Sequence, residues 1–130
     1  MCIRDRTTLQ QHPDLCGIVG FWDGMDIGTG PAVKEAGMDE KVFLATSGGG
    51  GKNGCDNLKN DIFDVFVSYD VPGQARDLSN VVKSLLQSGN KAGKAGKVSL
   101  FTQLQTLTKD NMASYMGSGA CWTVESLASN

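Results

Sequence analysis

The sequence predicts an α/β fold: a three-layer αβα arrangement around a mostly parallel, Rossmann-like sheet. Three observations carry this. Short apolar runs, none longer than seven residues, recur along the chain and stop at polar residues or glycine. That is the pattern of strands in a parallel sheet. Segments with helical spacing lie between them. The resulting order is strand, helix, strand, helix, strand, helix, strand, and such alternation implies parallel strands joined by right-handed crossovers, with helices on both faces.

"CGIVGFWD" (16–23) reads as a first strand, buried on both faces. "GMDIGTGPAVKEAG" (24–37) places Met25, Ile27, Ala32, Val33 and Ala36 in rough helical register. Pro31 falls inside it, and an interior proline costs about 3 kcal/mol, so a kink or a late start is expected. Gly37 is placed to stop the helix. "KVFLATS" (41–47) is a second buried strand. "NGCDNLKND" (53–61) is a short helix with Cys55 and Leu58 on its inner face, and "FDVFVSYD" (63–70) is a third strand. Pro72 opens the best helix, where Ala75, Leu78, Val81, Val82, Leu85 and Leu86 form one apolar stripe, and Gly89 closes it. "NKAGKAGK" (90–97), with Lys91, Lys94 and Lys97, is a solvated connector. "VSLFTQLQTLT" (98–108) is an edge or connecting strand. A last turn and a tail follow, anchored at Cys121 and Trp122.

The 130 residues suit one domain, and 40% apolar with 20% charged residues is enough for a core. A net charge of −2 with no basic block leaves no electrostatic footprint for nucleic acid. No apolar run approaches the roughly 20 residues that span a bilayer. The four cysteines, Cys2, Cys16, Cys55 and Cys121, form no CxxC pair, and His12 is the only histidine, so no metal site is expected. Cys16, Cys55 and Cys121 read either as small buried hydrophobes or as a source of one disulfide. No nucleophile elbow is present, and Asp39-Glu40 reads as a solvated turn. No enzyme and no cofactor are expected.

The glycine run "SGGGGKNG" (47–54) invites comparison with a phosphate loop. The P-loop pattern G-x-x-x-x-G-K-[ST] fails twice, because Thr46 stands five before Gly51 and Asn53 follows Lys52. G-x-G-x-x-G fits at Gly49, Gly51 and Gly54, as it would in any such run. The expectation is a flexible strand-to-helix connection that leaves open space beside Ser47. In open α/β sheets ligands bind off the carboxyl ends of the strands. Those ends are Trp22-Asp23, Ser47-Gly48 and Tyr69-Asp70.

"HPDLCGIVGFWDGMDIGTGPAVKEAG" resembles the segment "hPdl.gi...nD.mAlGa..Al..aG" of the sugar-binding proteins of ABC importers, the ribose-binding-like type I periplasmic binding proteins. "KVFLATSGG" sits where that family has "v.vvGfDG", "IFDVFVSYDVPGQARDL" where it has "l.atvaQdp...G", and "SLFTQLQTLTKDN" is similar to "..y.p..lvtkdN". The resemblance covers roughly residues 9 to 112 and matches part of the C-terminal lobe. It implies residues 9–112 as a partial ligand-binding lobe and 113–130 as a tail. "MCIRDR" has no apolar stretch and resembles a leader that recurs on unrelated metagenome-derived chains, so residues 1–8 are expected to be non-native.

The resemblance further implies a sugar or similar small polar solute held in an interlobe cleft and delivered to ABC permease subunits. The location would be periplasmic or tethered at the extracellular surface. Of the family's contacting Asn-Asp pair only Asp23 is kept, beside Trp22. Ser47 stands where the family has aspartate, followed by the matching Gly48, and Tyr69 stands where it has glutamine. Trp22 could stack on the apolar face of a carbohydrate or polyol. Asp23 could accept hydroxyl hydrogen bonds, or act as an N-cap for the following turn. Ser47 could be a ligand contact or a turn residue, and the Tyr69 phenol needs a polar partner. A Cys55–Cys121 disulfide is expected, one cysteine in the short helix and one in the anchored tail, and would favour export. Two other readings share the pattern. One is the effector lobe of a lac-repressor-type regulator. The other is a Rossmann-type nucleotide enzyme resting on the glycine run alone.

Overall fold

The computed structural model describes residues 2–89, 97–116 and 119–128. Four strands form one sheet in the order β1-β2-β3-β4: β1 Gly17–Val19, β2 Phe43–Gly48, β3 Val65–Ser68 and β4 Gln105–Leu107. β1, β2 and β3 are parallel, with Ile18 beside Leu44 and Thr46 beside Phe66. β4 closes the far edge antiparallel to β3, Leu107 opposite Phe66. The α/β fold with a mostly parallel sheet is therefore as the alternation implies. The last strand runs the other way.

Helices α1 Cys2–Gln11, α2 Asp23–Asp26, α3 Thr29–Glu35 and α4 Lys52–Lys59 precede β1 or connect the parallel strands. Sequential strand order with right-handed crossovers puts α3 and α4 on one face of the sheet. That face carries Ile18, Leu44, Thr46, Phe66 and Leu107. Leu44, Phe66 and Leu107 pack with Cys55, Leu58, Phe63 and Ala120, and a second cluster joins Leu9, Ala32, Val33, Met38 and Val42. The opposite face holds Val19, Phe43, Ala45, Ser47, Val65 and Val67 and is half-buried to exposed. Its outer layer is incomplete among the described residues.

β1 corrects the first expectation. It stops at Val19, and Val19 is 89% exposed rather than buried on both faces. The physical reason is that Val19 points to the open face, where no layer covers it among the described residues, and β1 lies at the sheet edge beside β2. The helical segment divides as Pro31 suggests, into α2 and α3, with Gly37 at φ +64 ending the second. α4 buries Cys55 and Leu58 together, which is the inner face the spacing implies.

α5, Val71–Gln87, is the helix that Pro72 is expected to open. Asp70 caps it by accepting from Gly73 N–H at 3.1 Å, and Pro72 lies in its first turn. Its apolar stripe, however, is not core. Leu78, Val82 and Leu85 are exposed and Leu86 is 77% exposed. Helical periodicity shows which face is apolar, not that a partner covers it. Two short helices, α6 Met112–Tyr115 and α7 Val124–Ala128, complete the chain. Of the connector lysines, Lys91 and Lys94 lie outside the described residues, and Lys97 is exposed. The boundaries expected after residues 8 and 112 fall inside α1 and α6. Leu9 on α1 is 2% exposed, and Ala120 in the tail is 1% exposed.

Cys55 and Cys121 are joined by a disulfide with a Cα–Cα distance of 5.5 Å across 66 residues. Cys16 is an exposed free thiol rather than a buried hydrophobe. No described helix is long and apolar enough to cross a membrane.

Gly54 shows how closely α4 sits on the sheet. A Cβ there would lie 2.5 Å from Phe66 Cζ and 3.3 Å from an Asp23 carboxylate oxygen. Helix propensity alone favours alanine by up to about 1 kcal/mol. Overpacking against the fully buried Phe66 outweighs this, so Gly54→Ala is expected to destabilise by about 1–3 kcal/mol in urea unfolding. An increase in stability would contradict the packing described. The exposed stripe of α5 and the open sheet face also predict self-association. Light scattering at rising concentration should give a mass above 13.8 kDa, and a strict monomer would contradict it.

Candidate functional site

The site lies at the carboxyl end of β2. Here the chain is gripped from both faces of the sheet because residues 47 and 48 point in opposite directions.

On the open face, Ser47 Oγ donates to the Phe21 carbonyl at 2.9 Å. It also shares a short hydrogen bond with the Tyr69 hydroxyl. A serine hydroxyl has one proton, and that proton is committed to Phe21, so Tyr69 must be the donor. The result is a directed relay, Tyr69 O–H to Ser47 to Phe21 C=O, linking the ends of three neighbouring strands. The ladder also continues one step past β3, with Tyr69 N–H donating to Gly48 C=O at 2.9 Å. Gln74 Nε2 fixes the Tyr69 carbonyl at 2.8 Å.

On the helical face, the Asp23 carboxylate lies against the backbone of Gly48. A Cβ at Gly48 would be 2.6 Å from Asp23 Oδ1. This close approach is what requires glycine at position 48. Asp23 is the first residue of α2 rather than its N-cap, and it accepts from Gly24 N–H at 2.9 Å. Burial raises its pKa above the ordinary carboxylate value of 3.8. The Gly24 hydrogen bond opposes that shift, and the charge of Asp26 adds to it. Asp26 is itself buried and bonded to Thr46 Oγ1, which pins α2 to β2 (Gly20 leaves room for its carboxylate).

Trp22 is the residue before α2, in extended conformation, 53% exposed, with its ring over Gly24. It is not core. Nor is it a strand terminus, because β1 ends three residues earlier. The five expected positions are thus brought to one end of the sheet, in two groups. Ser47 and Tyr69 are bonded on the open face. Asp23 and Gly48 touch on the helical face, with Trp22 adjoining Asp23 in sequence. Ser47 lies within β2 and is not a turn residue. Sequence reading missed the Phe21 carbonyl, which no side-chain pattern could reveal, and Asp26, whose signal was its spacing of three from Asp23.

The glycine run differs from expectation. It is not open space. Trp122 Nε1 donates to Gly49 C=O at 2.9 Å, and Lys52 N–H donates to Trp122 C=O at 2.9 Å. Gly50 has φ +79, and its Cα rests on the Ser68 hydroxyl, so no side chain fits there. Lys52 opens α4 and pairs with Asp56 one turn on. Its ammonium is thereby engaged within its own helix, away from the glycine turn. A cavity of about 460 Å3 lies beside this turn, lined by Asp70, Arg76, Cys121 and Trp122. It is separate from the five positions, which form an open surface. Among the described residues no group of three His, Cys, Asp or Glu side chains could hold a metal ion.

The candidate positions gather at the carboxyl ends of a mostly parallel α/β sheet whose outer layer is incomplete among the described residues. No protein-family model and no curated protein matches the sequence. Solved structures do match. One is an ABC transporter solute binding protein from Agrobacterium vitis with bound D-fucose, with TM-score 0.74 and 19% identity over 93% of this chain and 40% of that one. Another is a galactofuranose binding protein, with TM-score 0.69 and 15% identity over 91% of this chain and 40% of that one. A third is a carbohydrate transporter solute binding protein from Agrobacterium radiobacter in complex with D-arabinose, with TM-score 0.66 and 19% identity over 88% and 37%. The chain therefore spans about two fifths of the length of these structures.

The raised pKa of Asp23 has a sign that can be checked. Folding favours its neutral form, so its ionised form opposes folding once pH exceeds the raised value. Asp23→Asn keeps the Gly24 hydrogen bond and removes the charge. A small rise in Tm is expected at neutral pH, shrinking as pH falls through the Asp23 pKa. A fall in Tm at neutral pH would show that the carboxylate is stabilised where it lies.

Proposed function

We propose that this chain forms one side of a solute cleft. In this reading it is part of the substrate-binding component of an ABC transporter, holding a carbohydrate or polyol for delivery to membrane permease subunits. The observation that carries the reading is the relay from Tyr69 through Ser47 to the Phe21 carbonyl, which joins the ends of β2 and β3 to the segment after β1 that also carries Trp22 and Asp23. This arrangement suits a polyhydroxylated ring. Trp22 offers an exposed aromatic face for C–H groups. Asp23 accepts from hydroxyls, and Ser47 and Tyr69 have acceptor lone pairs left over. The bound sugars of the similar structures support the same ligand class. The role is binding rather than catalysis.

The Cys55–Cys121 disulfide supports a location outside the cytoplasm, periplasmic or tethered at the extracellular surface, since disulfides persist in oxidising compartments. It speaks against the cytoplasmic regulator reading. A nucleotide enzyme loses its one motif, because the glycine run is covered by Trp122.

Half a cleft binds weakly. Titrating D-fucose or D-arabinose into labelled protein should shift the Trp22 indole and the Ser47, Gly48 and Tyr69 amides together, with a dissociation constant of about 1 mM or weaker. Trp22→Ala should abolish the shifts. Because the ionised Asp23 carboxylate is the stronger acceptor of hydroxyl hydrogen bonds, affinity should fall as pH drops through its raised pKa. Shifts confined to other parts of the sheet, or none at saturating sugar, would contradict the reading.

A further inference from the structure

The tail returns to the sheet as a strap, residues 119–123, lying over the turn that follows β2. Among the described residues, four ties hold it besides the burial of Ala120 in the core. Lys52 N–H donates to Trp122 C=O, and Trp122 Nε1 donates to Gly49 C=O, both at 2.9 Å. The backbone of Gly119 lies against the Asp70 carboxylate. The fourth tie, the disulfide from Cys121 to Cys55, is covalent. Ala120 is the one member of the strap fully buried in the core cluster; the other buried members come from β2, β3, β4 and α4, with Phe63 two residues before β3. Cys121 itself has φ +57, a left-handed conformation unfavourable for a side-chain-bearing residue. The neighbouring ties hold it there.

The two sulfurs differ in access. Cys55 is 3% exposed on the inner face of α4. Cys121 is half-buried and lines the cavity of about 460 Å3 beside Asp70 and Arg76. A small dithiol can therefore reach Cys121 and not Cys55.

We propose that the Cys55–Cys121 disulfide is a redox latch. Its reduction by a dithiol releases the strap 119–123 from the glycine turn and leaves the four-stranded sheet folded. One thiolate of the dithiol attacks Cys121 Sγ and breaks the S–S bond. Cys55 leaves as thiolate and takes up a proton. The second thiol of the reductant, deprotonated, attacks its own sulfur in the mixed disulfide and frees Cys121, which is protonated in turn. Two electrons and two protons pass to the two cysteines, and the reductant departs as a cyclic disulfide. Release uncovers Gly49 and Gly51 and relaxes Cys121. Since Ser47 and Gly48 directly precede that turn, the solute-cleft reading implies weaker binding in the reduced state. The latch stands or falls without that reading.

The test follows the strap itself. Trp22→Phe removes the exposed indole and leaves Trp122 as the single tryptophan of the two in the chain. On reduction with dithiothreitol, acrylamide quenching of Trp122 should rise by about threefold while the far-UV circular dichroism of the sheet and helices is kept. Cys55→Ser with Cys121→Ser in the same background should show the higher quenching without reductant. Unchanged quenching would mean that the strap holds without the disulfide. Loss of the circular dichroism signal along with the rise would mean that the bond staples the whole fold. Either result overturns the proposal.

Discussion

The structure depends on how closely other groups approach the backbone at the end of β2. Four residues, Ser47 to Gly50, are gripped from several directions. Tyr69 reaches Ser47 from the open face, Asp23 lies on Gly48 from the helical face, and Trp122 and Ser68 press on Gly49 and Gly50. At Gly48 and Gly50 the neighbouring side chain occupies space that a Cβ would fill. The glycine run is thus neither a phosphate cradle nor a slack connector. It is the place where the ends of β2 and β3, the segment after β1, the starts of α2 and α4, and the tail meet.

That meeting point explains how the site is built. A parallel sheet brings its strand ends to one side automatically, but it does not fix the side chains there. Fixing comes from polar bonds between elements: Ser47 to Phe21, Tyr69 to Ser47, Asp26 to Thr46. Buried polar groups are costly unless paired. Here the pairing ties α2 to β2 and β3 to the segment after β1. Burial raises the pKa of Asp23, so its carboxylate is held less favourably in the charged form than in water. A group that folding disfavours in its charged form is one that an incoming donor can relieve.

Much of the architecture was legible because it follows from periodicity and alternation. The three parallel strands, the division around Pro31, and the shared burial of Cys55 and Leu58 on α4 all follow from local pattern. Two kinds of feature were not legible. The exposure of Val19 and of the stripe on α5 depends on what covers them, and no spacing rule states that. The antiparallel sense of β4 depends on the path after α5, where no helix leads directly into the strand. In the candidate site, position at the ends of the expected strands and the resemblance pointed to Trp22, Asp23, Ser47, Gly48 and Tyr69. The carbonyl of Phe21 carries no such mark, and the cover supplied by Trp122 spans 73 residues of chain.

The central claim is that the ends of β2 and β3 are locked to each other through the Ser47–Tyr69 hydroxyl pair. A double-mutant cycle tests it directly, comparing the unfolding free energies of Ser47→Ala, Tyr69→Phe and the double variant. Coupling of about 0.5–3 kcal/mol is expected for residues in one hydrogen-bonded network. Strict additivity would mean that the two hydroxyls do not meet and that the ends of β2 and β3 are not locked to each other.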